Sequence, residues 1–186
     1  MNKIIINCLV ALTMMFFTVT ASAAEWGKLS LKAPVLITSI GQSPDALMVK
    51  VLMMRNRIKF TLDNLAKPEM LNNHQSVIMV VGYSGKGLGA AGISKEQEIE
   101  RTKALIAAAK AKNIPIVMAH IGGKARLGPS SQVLVKLVAE NADCLVYVTR
   151  PELEPVFAKM IKDHGLAAKS AKKISKTGPI FKELYQ

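Results

Sequence analysis

The side chains able to bind or react gather in three glycine-bearing stretches. The first is Gly41-Gln42-Ser43. The second runs from Gly82 to Ser94 and carries Tyr83, Ser84, Lys86, Gly87, Gly89 and Ser94. The third runs from His120 to Gly128, with Gly122, Gly123, Lys124 and Arg126. Backbone N–H groups at a helix N-terminus or in a glycine-rich turn hold anions. Lysine and arginine add charge, and a histidine adds a donor or a proton carrier. In this pattern Gln42 and Ser43 offer polar contacts, Ser84, Lys86 and the Gly87–Gly92 backbone (Gly89 included) wrap a ligand, and His120, Lys124 and Arg126 supply charge and orientation, with Gly122 and Gly123 counted among the ligand-binding residues. Asp45 is the one carboxylate nearby, at a helix start. The set suits a small anionic compound better than a hard cation or paired-carboxylate acid–base chemistry.

Familiar catalytic and cofactor motifs are matched only in part. Gly87-Leu88-Gly89-Ala90-Ala91-Gly92 has dinucleotide-loop spacing. However, Tyr83–Lys86 separate it from the strand, the next helix starts after it, and His120 stands where a ribose-binding acid belongs. No cofactor is expected. Gly82-Tyr83-Ser84-Gly85-Lys86 opens like a nucleophile elbow but has Lys86 in place of the last glycine, and no acid is placed as a partner. A hydrolase using Ser84 or His120 therefore stays as an alternative, with no catalytic residue assigned. For His120, at a strand's carboxyl end, ligand contact and a local loop hydrogen bond are both open. His74 and His164 read as surface groups without zinc-ligand spacing. Cys144 lies inside the apolar run Cys144–Val148 and reads as a buried thiol.

The elements that must carry these loops alternate strand and helix. Strands are expected over Ala33–Ile40, Ile58–Leu62, Ser76–Val81, Ile114–Ile121, Asp143–Thr149 and, at an edge, Leu166–Ile174. The near-continuous apolar runs mark strands buried on both faces. A helix follows Ser43-Pro44-Asp45 to about Arg55, with Leu47, Val51 and Met54 on one face. Gly82–Ile93 is expected as a loop, and Lys67-Pro68-Glu69 as a brief helical turn. Ser94-Lys95-Glu96-Gln97 is a capping box opening a helix to about Lys112. Further helices are expected over Pro129–Asn141 (Val133, Leu134, Leu137 and Val138 inward), Glu152–His164 closed by Gly165, and Pro179–Tyr185. The fold class is α/β: an open parallel sheet with helices on both faces, a flavodoxin-like or Rossmann-like three-layer sandwich with strand order 2-1-3-4-5. Ligands bind such sheets outside the carboxyl ends of the strands.

Lys3, the apolar run Ile4–Val19 and the small residues Ala21–Ala24 form a secretory leader, cut after Ala23 or Ala24. The run is short of the roughly 20 residues of a membrane span. Residues 1–24 are thus expected as signal peptide and 25–186 as one exported domain, periplasmic or extracellular, with a basic C-terminal segment. The chain has 25 basic and 13 acidic residues, a formal net charge of +12. That field favours anionic partners. Aromatics do not alternate with the basic residues, so nucleic acid is not an expected partner. The lysines from Lys159 onward read as a solvated face, or as an interaction module for an acidic envelope partner. No particular protein partner is indicated.

Ala33–Ser39 followed by Gly41–Asp45, then Lys86–Ser94, then His120–Gly123 with Arg126 and Gly128, resemble a family of small secreted bacterial domains of unknown function. The likeness spans about Lys32 to Thr149. It implies export, an α/β sandwich and a site at the same three loops, and it supplies no reaction. Leu127 departs from the second basic residue expected after the arginine.

Overall fold

The computed structural model describes residues 25–186; the expected leader lies outside them. The strands are β1 (Val35–Ile40), β2 (Phe60–Leu62), β3 (Ser76–Val81), β4 (Ile116–His120), β5 (Cys144–Val148) and β6 (Ala167–Ala171). The helices are α1 (Asp45–Arg55), α2 (Gly85–Ala91), α3 (Lys95–Ala111), α4 (Gln132–Ala139), α5 (Glu154–His164) and α6 (Gly178–Leu184). Every strand pair is parallel, in the order β2-β1-β3-β4-β5-β6. This is the expected order with β6 added at the edge. All residues of β1, β3, β4 and β5 are buried, as their unbroken apolar runs require. β6 is half-exposed from Ala168 on, and its Lys169 and Ser170 blunt the edge.

The chain reverses direction across the sheet between β1 and β3, which puts helices on both faces. One core packs Leu105, Leu134 and Phe157 from α3, α4 and α5 on Leu36, Met79 and Met118. The other packs Val49 and Met53 of α1 and Phe181 of α6 on Ile37, Ile78 and Val117. The capping box forms: Ser94 Oγ accepts from the Gln97 N–H at 3.2 Å and Gln97 Oε1 accepts from the Ser94 N–H at 2.8 Å. Gly165 ends α5 in the left-handed region, at φ 62°. The Cys144 thiol is buried, and burial pushes its pKa up to about 12.

Several expectations are corrected. Gly82–Ile93 is not a loop throughout, because Gly85–Ala91 is α2. Ser84 caps it, accepting from the Gly87 N–H at 3.1 Å, and Gly92 closes it at φ 68°. Glycines weigh against a helix interior, but caps at both ends and the buried anchor Leu88 outweigh them here. In α1 the face of Leu47, Val51 and Met54 points outward, and Ala46, Val49, Leu52 and Met53 face the sheet. In α4, Val133 is exposed, and Val135 and Ala139 are buried with Leu134 and Val138. Both helices are apolar on more than one side, so the helical period alone does not say which side turns inward. The segment expected as one helix from Pro129 begins as a 3-10 turn, Pro129–Ser131, before α4. The helical turn at Pro68 runs as 3-10 to Asn73.

Candidate functional site

At the switch point between β1 and β3 the two strand-end loops bond to each other. Gln42 and Tyr83 form an antiparallel bridge, and the Ser84 N–H donates to Gly41 O at 2.8 Å. Gly41, at φ 93°, lies so close that a Cβ on it would stand 2.7 Å from Gly82 O. Behind the bridge lies an ion pair absent from the sequence-based reading. Glu98 of α3 is fully buried, and its Oε1 accepts from the Gly41 N–H at 2.6 Å and from Gln42 Nε2 at 3.2 Å. Arg101 grips the same carboxylate through Nε and Nη2, both at 2.8 Å. Its guanidinium also donates to Ser39 O, Ala66 O and Thr38 Oγ1. A signal for Glu98 was present: it shares the helical line of Thr102, Leu105 and Ala109, all buried. Gln42, at φ 55°, gives its remaining side-chain bond to Asn64 O at 2.8 Å.

The third loop closes on the first two through Asp45 and Arg126. Ser43 Oγ donates to Asp45 Oδ2 at 3.0 Å, Arg126 Nε stands 3.8 Å from the same oxygen, and Arg126 Nη1 donates to Tyr83 O at 3.2 Å. Gly122 permits this approach, since a Cβ there would sit 2.2 Å from Asp45 Oδ2 and 2.4 Å from Arg126 Cγ. Gly87 plays the same part for α2, packed against the Gln42 carbonyl. Lys86 and Gly89 lie on the exposed side of α2.

His120 is fully buried, 5.5 Å from the Phe157 ring, with Nδ1 2.9 Å from Val81 O and Nε2 3.3 Å from Gly123 O. Burial lowers its pKa, partly offset by those two carbonyls and by Asp45. The unfolded chain therefore binds this proton more tightly than the folded one. The stability tied to neutral His120 is complete above the ordinary value of about 6.5 and is lost as pH falls toward the depressed folded value. Urea unfolding measured across that range should show stability dropping below about pH 6.5, with a shallower drop in His120→Gln.

Open space lies one step along the sheet. A cavity of about 470 Å³ at the carboxyl ends of β4, β5 and β6 is lined by Asp45, Gly122, Arg150, Lys172, Lys173 and Ile174, among others. A neighbouring hollow, lined by Thr149, Glu152 and Glu154, shares Arg150 and Lys172 with it. Gly123 lies beneath Arg150: its Cβ position is 3.8 Å from Arg150 Nε. Asp45, the one carboxylate in the lining, is already held by Ser43 and Arg126, so the basin is cationic. Sequence reasoning missed Arg150, Lys172 and Lys173. Their signal was position, directly after β5 and β6, where the strand-end rule places a site. A third hollow of about 400 Å³, between α4 and α5, has a floor of Val135, Leu153, Val156 and Met160. Among the described residues no cluster of His, Cys, Asp or Glu is placed to hold a metal ion. No described helix is long and apolar enough to cross a membrane.

The profile of a family described as "Domain of unknown function (DUF6305)" matches residues 32–185, through the lysine-rich segment as well as the three loops. No curated protein matches in sequence. Among solved structures, UDP-N-acetylglucosamine 4-epimerase from Bacillus cereus aligns over 83% of this chain and 71% of its own, at 13% identity and a TM-score of 0.42. A mutant of the esterase AlinE4 aligns over 84% of this chain and 85% of its own, at 11% identity and a TM-score of 0.30. At that level neither likeness bears on what this chain binds or does.

Proposed function

We propose that this chain, which belongs to the DUF6305 family of domains of unknown function, is an exported binding domain that holds a small anionic compound. The observation that carries this reading is the cavity at the carboxyl ends of β4–β6, with Arg150, Lys172 and Lys173 on its wall and its only carboxylate engaged elsewhere. Asp45 lines its inner side, held in place by Ser43 and Arg126. Export rests on the leader-like residues 1–24. The hydrolase alternative draws little support from the contacts, because Ser84 Oγ caps α2 and both His120 nitrogens face backbone carbonyls.

The test is thermal-shift and calorimetric titration of the purified protein with inorganic phosphate, citrate and short dicarboxylates at low and moderate salt. A ligand at 100 times its Kd stabilises the folded state by about 2.7 kcal/mol. Arg150→Ala/Lys173→Ala should weaken the best of these anions by at least about tenfold, since a charge-assisted hydrogen bond contributes about 1.5–3 kcal/mol. Unchanged affinity in the double variant would remove the basin from consideration. Turnover of a bound ester would favour the hydrolase reading.

A further inference from the structure

α1 leaves bare a face of the kind that elsewhere makes a core. Its residues, DALMVKVLMMR, are apolar nearly all the way round. Ala46, Val49, Leu52 and Met53 are buried on the sheet side. On the opposite side Leu47, Met48, Val51 and Met54 stand 45%, 44%, 38% and 58% exposed. Positions i, i+1, i+4 and i+7 form one continuous helical face. A helix apolar on all sides belongs in apolar surroundings, and a contiguous exposed apolar patch marks an interaction or membrane site. The 3-10 turn Ile174–Thr177 packs beside α1 and adds Ile174, itself 36% exposed.

The charges placed at the two ends of this ridge are mainly basic. Lys172 and Lys173 line the basin together with Asp45, so they stand beside the first turn of α1, which also carries Leu47 and Met48. Lys176 follows in the 3-10 turn, and Arg55 is exposed at the far end of the helix. The acid at this end, Asp45, is taken by Ser43 and Arg126. A second copy docked ridge to ridge would bring cation against cation. An anionic surface with an apolar interior meets both parts of the pattern.

We infer that the α1 face docks on an anionic phospholipid bilayer. Leu47, Met48, Val51, Met54 and Ile174 enter the boundary between headgroups and acyl chains, and the cations of the basin take a lipid phosphate. This rests on the anion-binding reading of the basin and names the anion as a lipid headgroup.

The experiment is flotation of the purified protein with vesicles of phosphatidylcholine, with or without one third phosphatidylglycerol, at low and moderate salt. Titration with inorganic phosphate and light scattering run in parallel. Binding is expected on the phosphatidylglycerol vesicles and at least about tenfold weaker on phosphatidylcholine alone. Val51→Asp/Met54→Asp should lose about tenfold or more on vesicles while still binding inorganic phosphate, since neither residue lines the basin. Lys172→Glu/Lys173→Glu should lose both. Phosphate bound with vesicles ignored would overturn membrane docking and leave the anion site standing. Vesicle binding without phosphate binding would overturn the headgroup assignment and the basin reading with it. Vesicle binding equal in Val51→Asp/Met54→Asp would overturn insertion. A dimer dissolved by that same variant would assign the face to a second copy instead.

Discussion

Glu98→Ala should lower the unfolding free energy by about 3–5 kcal/mol, the usual cost of removing one partner of a buried ion pair. The Glu98 side chain is fully buried and that of Arg101 is 13% exposed. Without the carboxylate, the guanidinium keeps its bonds to Ser39 O, Ala66 O and Thr38 Oγ1 but loses its counter-charge. The Gly41 N–H and one Gln42 amide hydrogen lose their acceptor in the same step. A domain of this size has about 5–15 kcal/mol in all, so the variant should lose a large share of its stability. Glu98→Gln keeps an acceptor for Gly41 and should cost less. Glu98→Leu/Arg101→Leu should recover part of the loss, because replacing both charges removes their desolvation penalty together. Urea unfolding followed by circular dichroism measures all of these. A cost below about 1 kcal/mol for Glu98→Ala would mean that the pair does not hold the β1 loop.

The second large effect separates two glycines of the same short helix. A Cβ on Gly87 would lie 1.9 Å from the Gln42 carbonyl oxygen, a backbone atom that cannot swing aside. Gly87→Ala must push α2 off the Gln42–Tyr83 bridge and should cost about 3 kcal/mol or more, the upper end for overpacking. Around Gly89 nothing lies within 4 Å of the Cβ position. Gly89→Ala should raise stability by about 0.5–1 kcal/mol, through helix propensity alone. Thermal unfolding of the two variants side by side checks the pair of signs. Similar destabilisation in both would mean that the segment is not the helix described.

Gly87 and Gly89 also show where sequence reasoning about the site stopped. Their spacing reads as a ligand-wrapping loop, yet the first is a packing contact and the second faces solvent from α2. The same holds for Gln42, whose type and loop position fit a ligand contact and whose amide turns inward to Glu98 and Asn64. Asp45, read as a lone acid at a helix start, ties Ser43 to Arg126 and thereby shapes the basin. Lys172 and Lys173 were overlooked because a run of lysines reads as a solvated face and the edge strand was expected to run on to Ile174; β6 ends at Ala171, which puts both just past its carboxyl end.

The strands, the helix opened by Ser94 and the central order of the sheet were legible in the amino-acid sequence, whereas the capped helix α2 was not. Val77–Val81 and Cys144–Val148 are apolar without interruption, which suits only a strand covered on both faces. Ser94 and Gln97 bond back to the backbone within four residues, so their chemistry is written in adjacent positions. Strand–helix alternation with right-handed crossovers leaves few sheet orders. Long-range packing set the facing of α1, the Glu98 carboxylate on Gly41 across 57 positions of chain, and the meeting of Asp45 with Arg126. The reason is range. Hydrophobic period and capping act within one or two helical turns. The inward side of an all-apolar helix, and the partner of a buried charge, depend on which distant loops the folded sheet brings within reach.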